Sequence, residues 1–179
     1  GSLVFDGSDD YVNLNIGHLA TFIDPSWTTG NYHEFSLFGW AKTSISARRQ
    51  VFGDWTTSGS DQTAAMEFGG YTKPTTSINV NVGGGAAYVT LLDPYELDTW
   101  YYIGVVKLSS QYFTGYLNAE YKGISAIGSQ YTTQTQSSRL GTPGAVSTSN
   151  TFNGSISSFK IYNRALTAAE VLQNYNATR

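Results

Sequence analysis

The sequence contains no cysteine, so disulfide bonds, thiolate metal sites and a cysteine nucleophile are all excluded. Charged residues make up only 13% of the chain, and the ten lysines and arginines include a single adjacent pair, Arg48-Arg49. Proteins that bind nucleic acid need a clustered basic surface, which this distribution does not supply. No run of about 18 apolar residues is present, which excludes a membrane-spanning helix. We therefore expect no nucleic-acid partner and no membrane insertion.

The chain has instead the composition of a compact β protein. Apolar residues make up 40% of the 179 residues, and 19 residues are glycine. Short alternating segments are separated by turns rich in Gly, Asn, Asp and Ser, which is typical of antiparallel sheets. About a dozen such segments predict an all-β, antiparallel two-sheet jelly-roll sandwich. The length suits one domain, which we place over residues 1–179.

Two segments, residues 34–43 and 99–108, carry apolar side chains on both faces. Strands of this kind are covered on both sides, so we predict that both are central in the sandwich. Their large aromatic residues Trp40, Trp100 and Tyr102 are expected to pack inside, because aromatic side chains dominate protein cores. Residues 15–33, by contrast, show no periodicity and predict a long irregular segment.

The end of the chain predicts a strand followed directly by a short helix. Ile156, Phe159 and Ile161 share one apolar face only if one extra residue at Ser157 or Ser158 forms a bulge. Thr167 and Glu170 have the spacing of a capping box, flanked by Leu166 and Val171 at the positions of a hydrophobic staple. Val171, Leu172 and Tyr175 then predict an apolar stripe that docks the helix on the sandwich.

These segments resemble a known family. FNGSISSFKIYNRALTAAEV, at residues 152–171, resembles the closing motif of the laminin-G-like domains of the concanavalin A-like lectin/glucanase superfamily. LVFDGSDDYVNL resembles that family's first strand pair, and three further pieces fit in order between them: FSLFGWAKT (35–43), LDTWYYIGVVK (97–107) and YFTGYLNAEYKG (112–123). The resemblance implies a concanavalin A-like jelly roll with a short C-terminal helix, in which the first and last strands lie side by side.

The superfamily includes glucanases, so the resemblance leaves a catalytic function open. Glycoside hydrolysis needs two carboxylates across the scissile bond, and sandwich glucanases usually carry them as Glu-x-Asp-x-x-Glu on one strand. That run is missing here, and Glu96 and Asp98 form a turn before Trp100. His18 and His33 both lie in the irregular segment, away from the Tyr-rich strand at 112–121 that a polysaccharide lyase would use. We therefore predict that the protein is not an enzyme, with a hydrolase or lyase as the less favoured alternative.

The sequence instead favours a carbohydrate-binding site built from aromatic rings and planar hydrogen-bonding groups. Aromatic residues in or beside loops would stack on sugar rings, and polar side chains near them would bind hydroxyl groups. The alternative for each residue is a surface tyrosine or a turn asparagine with no ligand. The predicted ligand-binding residues are Trp55, Tyr71, Tyr88, Asn79, Asn81, Arg48, Asp54 and Gln62.

No cofactor is required for binding of this kind, but a structural Ca²⁺ is one option. Asp6, Asp9 and Asp10 supply the hard oxygen ligands that Ca²⁺ prefers, and we name Asp6 and Asp10 as the candidate metal ligands. Relatives often bind Ca²⁺ between the first strand pair and the closing strand, with an aspartate where this chain has Ser157. The alternative is that these aspartates only form Asx turns.

The leading hypothesis is a non-catalytic carbohydrate-binding module of a larger secreted, cell-surface or virion protein. The chain enters a strand pattern directly after Gly1-Ser2, which favours one module cut from a longer protein. Its partners would be a glycan or polysaccharide and other protein modules of the parent chain. The second hypothesis is a structural or protein-interaction module without sugar binding, which an exposed apolar patch would favour.

Overall fold

The computed structural model describes residues 1–26, 33–54, 63–70, 73–83, 87–127, 137–142 and 150–179. Within these residues the chain forms twelve strands and two helices. The strands are β1 (Leu3–Asp6), β2 (Val12–Asn13), β3 (Phe35–Thr43), β4 (Arg49–Gly53), β5 (Ala64–Gly70), β6 (Lys73–Val82), β7 (Tyr88–Leu92), β8 (Tyr101–Lys107), β9 (Tyr112–Leu117), β10 (Glu120–Ala126), β11 (Arg139–Leu140) and β12 (Asn153–Tyr162), and the helices are α1 (Leu19–Ile23) and α2 (Ala168–Thr178).

The strands form two antiparallel sheets, which confirms the predicted sandwich. Sheet A has the order β1-β12-β3-β8-β9-β10, and sheet B has the order β2-β11-β4-β5-β6-β7. The two strands at the start of the chain lie in different sheets, so the Asp6–Asp10 turn crosses from one layer to the other. The main core lies between the sheets and includes Leu37, Phe68, Val80 and Ile103, all fully buried.

The first and last strands pair as expected, and the closing strand carries the predicted bulge. Leu3 lies opposite Ile156, and the pairing of β12 with β3 shifts register between Ser157 and Lys160. Ser158, inside the shift, has a positive φ of 50°. The bulge turns Phe159 towards the same core that buries Ile156, because the extra residue offsets the alternation of side chains.

Helix α2 packs on the outer face of sheet A and covers a second apolar cluster. Thr167 Oγ1 accepts a hydrogen bond from the Glu170 N–H, while the Glu170 carboxylate accepts one from the Thr167 N–H, as a capping box requires. Leu166 and Val171 are both buried in the cluster. The predicted stripe was wrong at Leu172, whose surface is 50% exposed, because only Val171 and Tyr175 face the sheet.

Two further expectations were wrong. Tyr102 is buried, but Trp40 and Trp100 are only partly buried and line a surface cavity on the outer face of sheet A. Trp40 projects outward from β3 and contacts Tyr175 and Thr178 in the last turns of α2, whereas Trp100 lies just before β8, so the helix covers the pair only in part. The segment predicted as irregular contains the short helix α1, which buries Leu19.

No helix in the described part of the chain is long and apolar enough to cross a membrane.

Candidate functional site

Polar side chains from four neighbouring strands of sheet B lie in one line across its outer face. The cross-strand pairs are Gln50 with Glu67, Glu67 with Asn79, and Asn79 with Thr90. We call these four residues the polar row. Adjacent strands are about 4.8 Å apart, so the row is about 14 Å long, the length of a few sugar units. The alternation of β5 and β6 explains this placement, because Met66, Phe68, Ile78 and Val80 take the opposite, core-facing side.

The charged centre of the polar row is Glu67. Its side chain has no exposed surface, and its Oε2 lies 3.1 Å from Nε of Arg48, whose side chain is 18% exposed. Burial raises the pKa of the Glu67 carboxyl, whereas the charge of Arg48 and hydrogen bonds from Arg48 and Tyr88 act to lower it. Arg48 therefore compensates a carboxylate that would be costly to bury alone.

Asn79 is held by three hydrogen bonds within the protein. Its Nδ2 donates to the Gly69 carbonyl (3.1 Å) and to Ser77 Oγ (2.7 Å), and its Oδ1 accepts from Thr90 Oγ1 (2.9 Å). Gly69 sits in a bulge of β5 with a φ of +65°, and an added Cβ would lie 2.8 Å from Cα of Arg48. The bulge therefore lets the chain before β4 approach β5, while it turns a carbonyl towards Asn79.

The structure brings four of the predicted ligand-binding residues to this face: Arg48, Asn79, Asn81 and Tyr88. We call the polar row together with Arg48, Asn81 and Tyr88 the polar layer. Asn79 and Asn81 are buried, so they lie below the surface of this layer. Solvent reaches the layer at Arg48 and Tyr88, which are partly exposed, and at Thr90, which is exposed. Trp55, Gln62 and Tyr71 lie outside the described residues, but Trp55 follows β4 by two positions and Tyr71 directly follows β5.

Asp54, also predicted to bind ligand, takes a structural role. It is fully buried, and its Oδ1 accepts from the N–H groups of Thr63 (3.0 Å) and Ala64 (3.2 Å). Its Oδ2 lies 3.5 Å from Nε2 of the buried His18. Burial raises the pKa of Asp54, and the charge of His18 opposes that effect. The carboxylate thus ties the segment before α1 to the start of β5, and no surface remains for a sugar.

The three N-terminal aspartates do cluster. Carboxylate oxygens of Asp6, Asp9 and Asp10 all lie within 4.8 Å of one another, at exposed positions. Two of their oxygens accept backbone hydrogen bonds, Asp10 Oδ2 from Asp6 (2.9 Å) and Asp6 Oδ1 from Ser8 (2.7 Å). The remaining oxygens are hard donors of the type that Ca²⁺ takes. The donor set therefore fits a calcium ion, although part of it already forms turns.

Ser157 does not bear on that cluster, contrary to our expectation. The residue opposite Asp6 on the closing strand is Asn153, whose Nδ2 donates to the Asp6 carbonyl at 2.7 Å. Ser157 lies near the other end of the strand pair, where its Oγ donates to the carbonyl of Gly1. Sequence spacing could not place it, because the first strand's register on β12 was unknown.

Sequence reasoning also missed Gln50, Glu67 and Thr90 of the polar row. Glu67 and Thr90 lie at the outward positions of alternating strands, between Met66 and Phe68 and between Val89 and Leu91. The alternation alone predicts their face, but only the register of β5, β6 and β7 shows that they align with Asn79.

Comparisons with known proteins agree with this architecture. A laminin-G family model, described as the concanavalin A-like lectin/glucanases superfamily, matches residues 6–172. No curated protein sequence matches the chain.

Solved structures with the same fold include proteins of several kinds. A protein from Bacteroides ovatus ATCC 8483 proposed to bind carbohydrate is 16% identical, with a TM-score of 0.71 over 96% of this chain and 46% of that one. A heptameric, SAP-like pentraxin from Limulus polyphemus is 18% identical, with a TM-score of 0.61 over 82% of this chain and 71% of the pentraxin. The sialidase of Trypanosoma rangeli is 13% identical, with a TM-score of 0.64 over 97% of this chain and 27% of the sialidase. The chain thus spans less than half of the Bacteroides protein and of the sialidase, and these likenesses concern the fold.

Proposed function

This chain belongs to the concanavalin A-like lectin/glucanases superfamily, and we propose that it binds carbohydrate without transforming it, through the outer face of sheet B. The observation that carries the proposal is the polar row with its Arg48–Glu67 ion pair. A buried ion pair adds little net stability compared with apolar side chains in its place, so the fold alone does not require one on this face. Sugar hydroxyl groups, in contrast, require guanidinium, carboxylate and amide groups held in fixed positions.

The polar layer divides into residues that would contact the sugar and residues that would position them. Arg48, Tyr88 and Thr90 reach solvent and would donate hydrogen bonds or stack. Glu67 and Asn79 hold Arg48 and Thr90 through direct contacts, so their role is to fix geometry. Trp55, Gln62 and Tyr71 lie outside the described residues, and we propose that they would complete the site because they are close in sequence to β4 and β5. Asn81, opposite Tyr88 in the register, belongs to the positioning group.

The alternative of a hydrolase or lyase has weaker support in the described residues. Glycoside hydrolysis requires two carboxylates about 5–10 Å apart at an accessible cleft. Within the polar layer the carboxylate of Glu67 is buried and paired with Arg48, so it is not exposed to a substrate. The resemblance to a sialidase concerns fold, which does not fix function.

We place the protein outside the cell, as one module of a larger secreted, cell-surface or virion protein. Binding by a single site of this kind is weak, and several copies on one particle would raise the overall affinity. Calcium bound by Asp6, Asp9 and Asp10 would have a structural role, because the cluster lies where the chain crosses from sheet A to sheet B.

A glycan array probed with the protein, with and without a calcium chelator, tests the proposal. We expect binding of one glycan class that is lost in Trp55→Ala, Tyr71→Ala and Thr90→Val. Tyr121→Ala is the matched control, because Tyr121 is an exposed tyrosine on β10 of sheet A. Binding that survives the three sheet B variants would contradict the proposed site.

The same experiment separates the alternatives. Release of new reducing ends from a bound glycan would show catalysis and overturn the non-catalytic part of the proposal. A silent array would favour the module without sugar binding. A chelator that lowers the melting temperature, in the wild type but not in Asp6→Asn or Asp10→Asn, would support structural calcium. An unchanged wild-type melting temperature would contradict it.

A further inference from the structure

Two surface cavities lie on the outer face of sheet A, on the side of the sandwich away from the polar row, and the contact between Lys42 and Trp100 joins them. The first is a cavity of about 400 Å³ at the end of α2, with Trp40 and Trp100 among its lining residues. The second is a cavity of about 420 Å³ whose lining includes one cation, Lys42, and two carboxylates, Asp6 and Asp98. We call the two together the Trp100 groove. Each part lies in the size range of small-ligand sites, about 300–1,000 Å³.

Trp40 is fixed in the floor of the groove. Its Nε1 donates to Thr178 Oγ1 at 2.9 Å, and its ring stacks on Tyr175 with centroids 5.4 Å apart. The polar tip of this indole is therefore satisfied, while part of its ring surface faces the cavity. A rigid, partly exposed aromatic surface of this kind loses little conformational entropy when a ligand binds to it.

Lys42 lines the second cavity and contacts Trp100 of the first. It projects from β3 beside Trp100, with Nζ 5.5 Å from the centroid of the indole ring. That distance is near the limit of about 6 Å for a cation–π contact, so the contact is weak and exchangeable. Among the residues that the structure describes, Lys42 forms no ion pair. A partly buried cation without a counterion favours an anionic group on whatever binds beside it.

We infer that the Trp100 groove is a second ligand site, in which an acidic sugar stacks its ring on Trp100 and pairs its carboxylate or sulfate group with Lys42. The C–H face of a sugar ring suits the indole surface, and Ser155 lines the second cavity beside Lys42. Ser44 and Asn153 also line it, but they hydrogen-bond to each other, and Asn153 also to the Asp6 carbonyl. The carboxylates of Asp6 and Asp98 repel an anion, so the anionic group of the sugar is restricted to the side of Lys42. The inference shares its ligand class with the proposed function, and the second cavity shares Asp6 with the candidate calcium cluster.

The test uses matched acidic and neutral sugars. Oligogalacturonate, a sulfated galactose oligomer and a neutral galactose oligomer are titrated into the protein by calorimetry at two salt concentrations. We expect the acidic sugars to bind more tightly than the neutral one, and the difference to shrink at high salt because the charges are screened. The two acidic probes distinguish carboxylate from sulfate recognition.

Variants assign the site. Lys42→Gln is expected to weaken acidic-sugar binding by about tenfold or more, the effect of one charge-assisted hydrogen bond, with little effect on the neutral sugar. Trp100→Ala is expected to weaken binding of both, and a fluorescence change on binding should disappear with it. Lys122→Gln, on β10, is the charge control. Melting temperatures check that each variant is folded.

Three results would overturn the inference. Acidic sugars that bind no better than neutral ones would remove the role of Lys42. Binding that is lost in Thr90→Val but unchanged in Trp100→Ala would leave the polar-row proposal standing and remove the second site. Absence of binding by any sugar in both experiments would overturn both proposals.

Discussion

Arg48 reaches from the chain just before β4 to Glu67 of β5, so that its Nε lies 3.1 Å from a carboxylate with no exposed surface. The ion pair links two strands of sheet B at the centre of the polar row. Arg48 is partly exposed to solvent, whereas Glu67 is not. Arg48 can therefore contact a ligand in the proposed site, while Glu67 acts through the stability of the buried pair.

Arg48→Ala should destabilise the protein by about 3–5 kcal/mol at neutral pH, because it leaves a buried carboxylate without its partner. Urea unfolding measures the loss. Burial raises the pKa of Glu67, and the variant removes the Arg48 charge that opposes this shift. A carboxyl whose pKa is raised in the folded state destabilises that state only while it is ionised. The loss of stability should therefore shrink as the pH falls and Glu67 becomes protonated.

The double variant Arg48→Ala/Glu67→Gln is the control for that prediction. Glutamine removes the charge and keeps the shape, so the double variant should be more stable than Arg48→Ala alone at pH 7. An Arg48→Ala protein as stable as the wild type at pH 7 would mean that the pair contributes nothing.

Gly69→Ala should destabilise the protein by more than Gly17→Ala. Both glycines have positive φ, +65° and +68°, so both variants incur a left-handed backbone cost of about 1–2 kcal/mol. Only at Gly69 would the new Cβ also meet backbone, at 2.8 Å from Cα of Arg48, whereas nothing lies within 4 Å at Gly17. Thermal unfolding compares the two, and equal losses would show that the close approach at Arg48 has no energetic weight.

Thr167→Ala should cost about 1 kcal/mol, because it removes the side-chain acceptor for the N–H of Glu170 at the start of α2. Thr167→Ser keeps the hydroxyl and serves as the control. Chemical denaturation measures both variants. If the alanine and serine variants unfold at the same denaturant concentration, the hydroxyl does not stabilise the helix.

The carboxyl of Glu170 should titrate at about pH 2, against an ordinary value of 4.5. The pKa is low because the carboxylate accepts hydrogen bonds from Arg164 first, and then from the N–H and hydroxyl of Thr167. Its contribution to stability is therefore present above about pH 4.5 and is lost as the pH falls towards 2. Carbon-detected NMR follows the titration, and Arg164→Ala should raise the midpoint. A midpoint near 4.5 in the wild type would contradict the contacts.

Local patterns in the sequence predicted much of the fold because they have local causes. The capping box at Thr167 and the bulge at Ser158 depend on residues a few positions apart, and both are confirmed. The wrong expectations depend instead on long-range packing. Whether Trp40 or Leu172 is covered depends on how α2 lies on sheet A, and the periodicity of the sequence does not reveal that position.

The sequence predicted several of the polar residues on the outer face of sheet B, but not how deeply they are buried. The alternation of β6 correctly puts Asn79 and Asn81 on a face away from the core, yet it does not tell a buried polar face from an exposed one. Glu67 was overlooked because an isolated glutamate in a strand carries no signal without its cross-strand partners. The roles of Trp55, Gln62 and Tyr71 stay predictions, since they lie outside the described residues.

The polar row has a further consequence for strand alignment. Each of its side chains faces away from the core only in the observed pairing, and sliding β5 or β6 by one position would turn Glu67 or Asn79 inward. Misaligned sheets would therefore carry a charge or an amide into an apolar interior, which disfavours them during folding. Substitutions in this row that change ligand preference would also make misaligned pairings less unfavourable. New ligand specificity should therefore evolve more readily in the flanking segments than in the row itself.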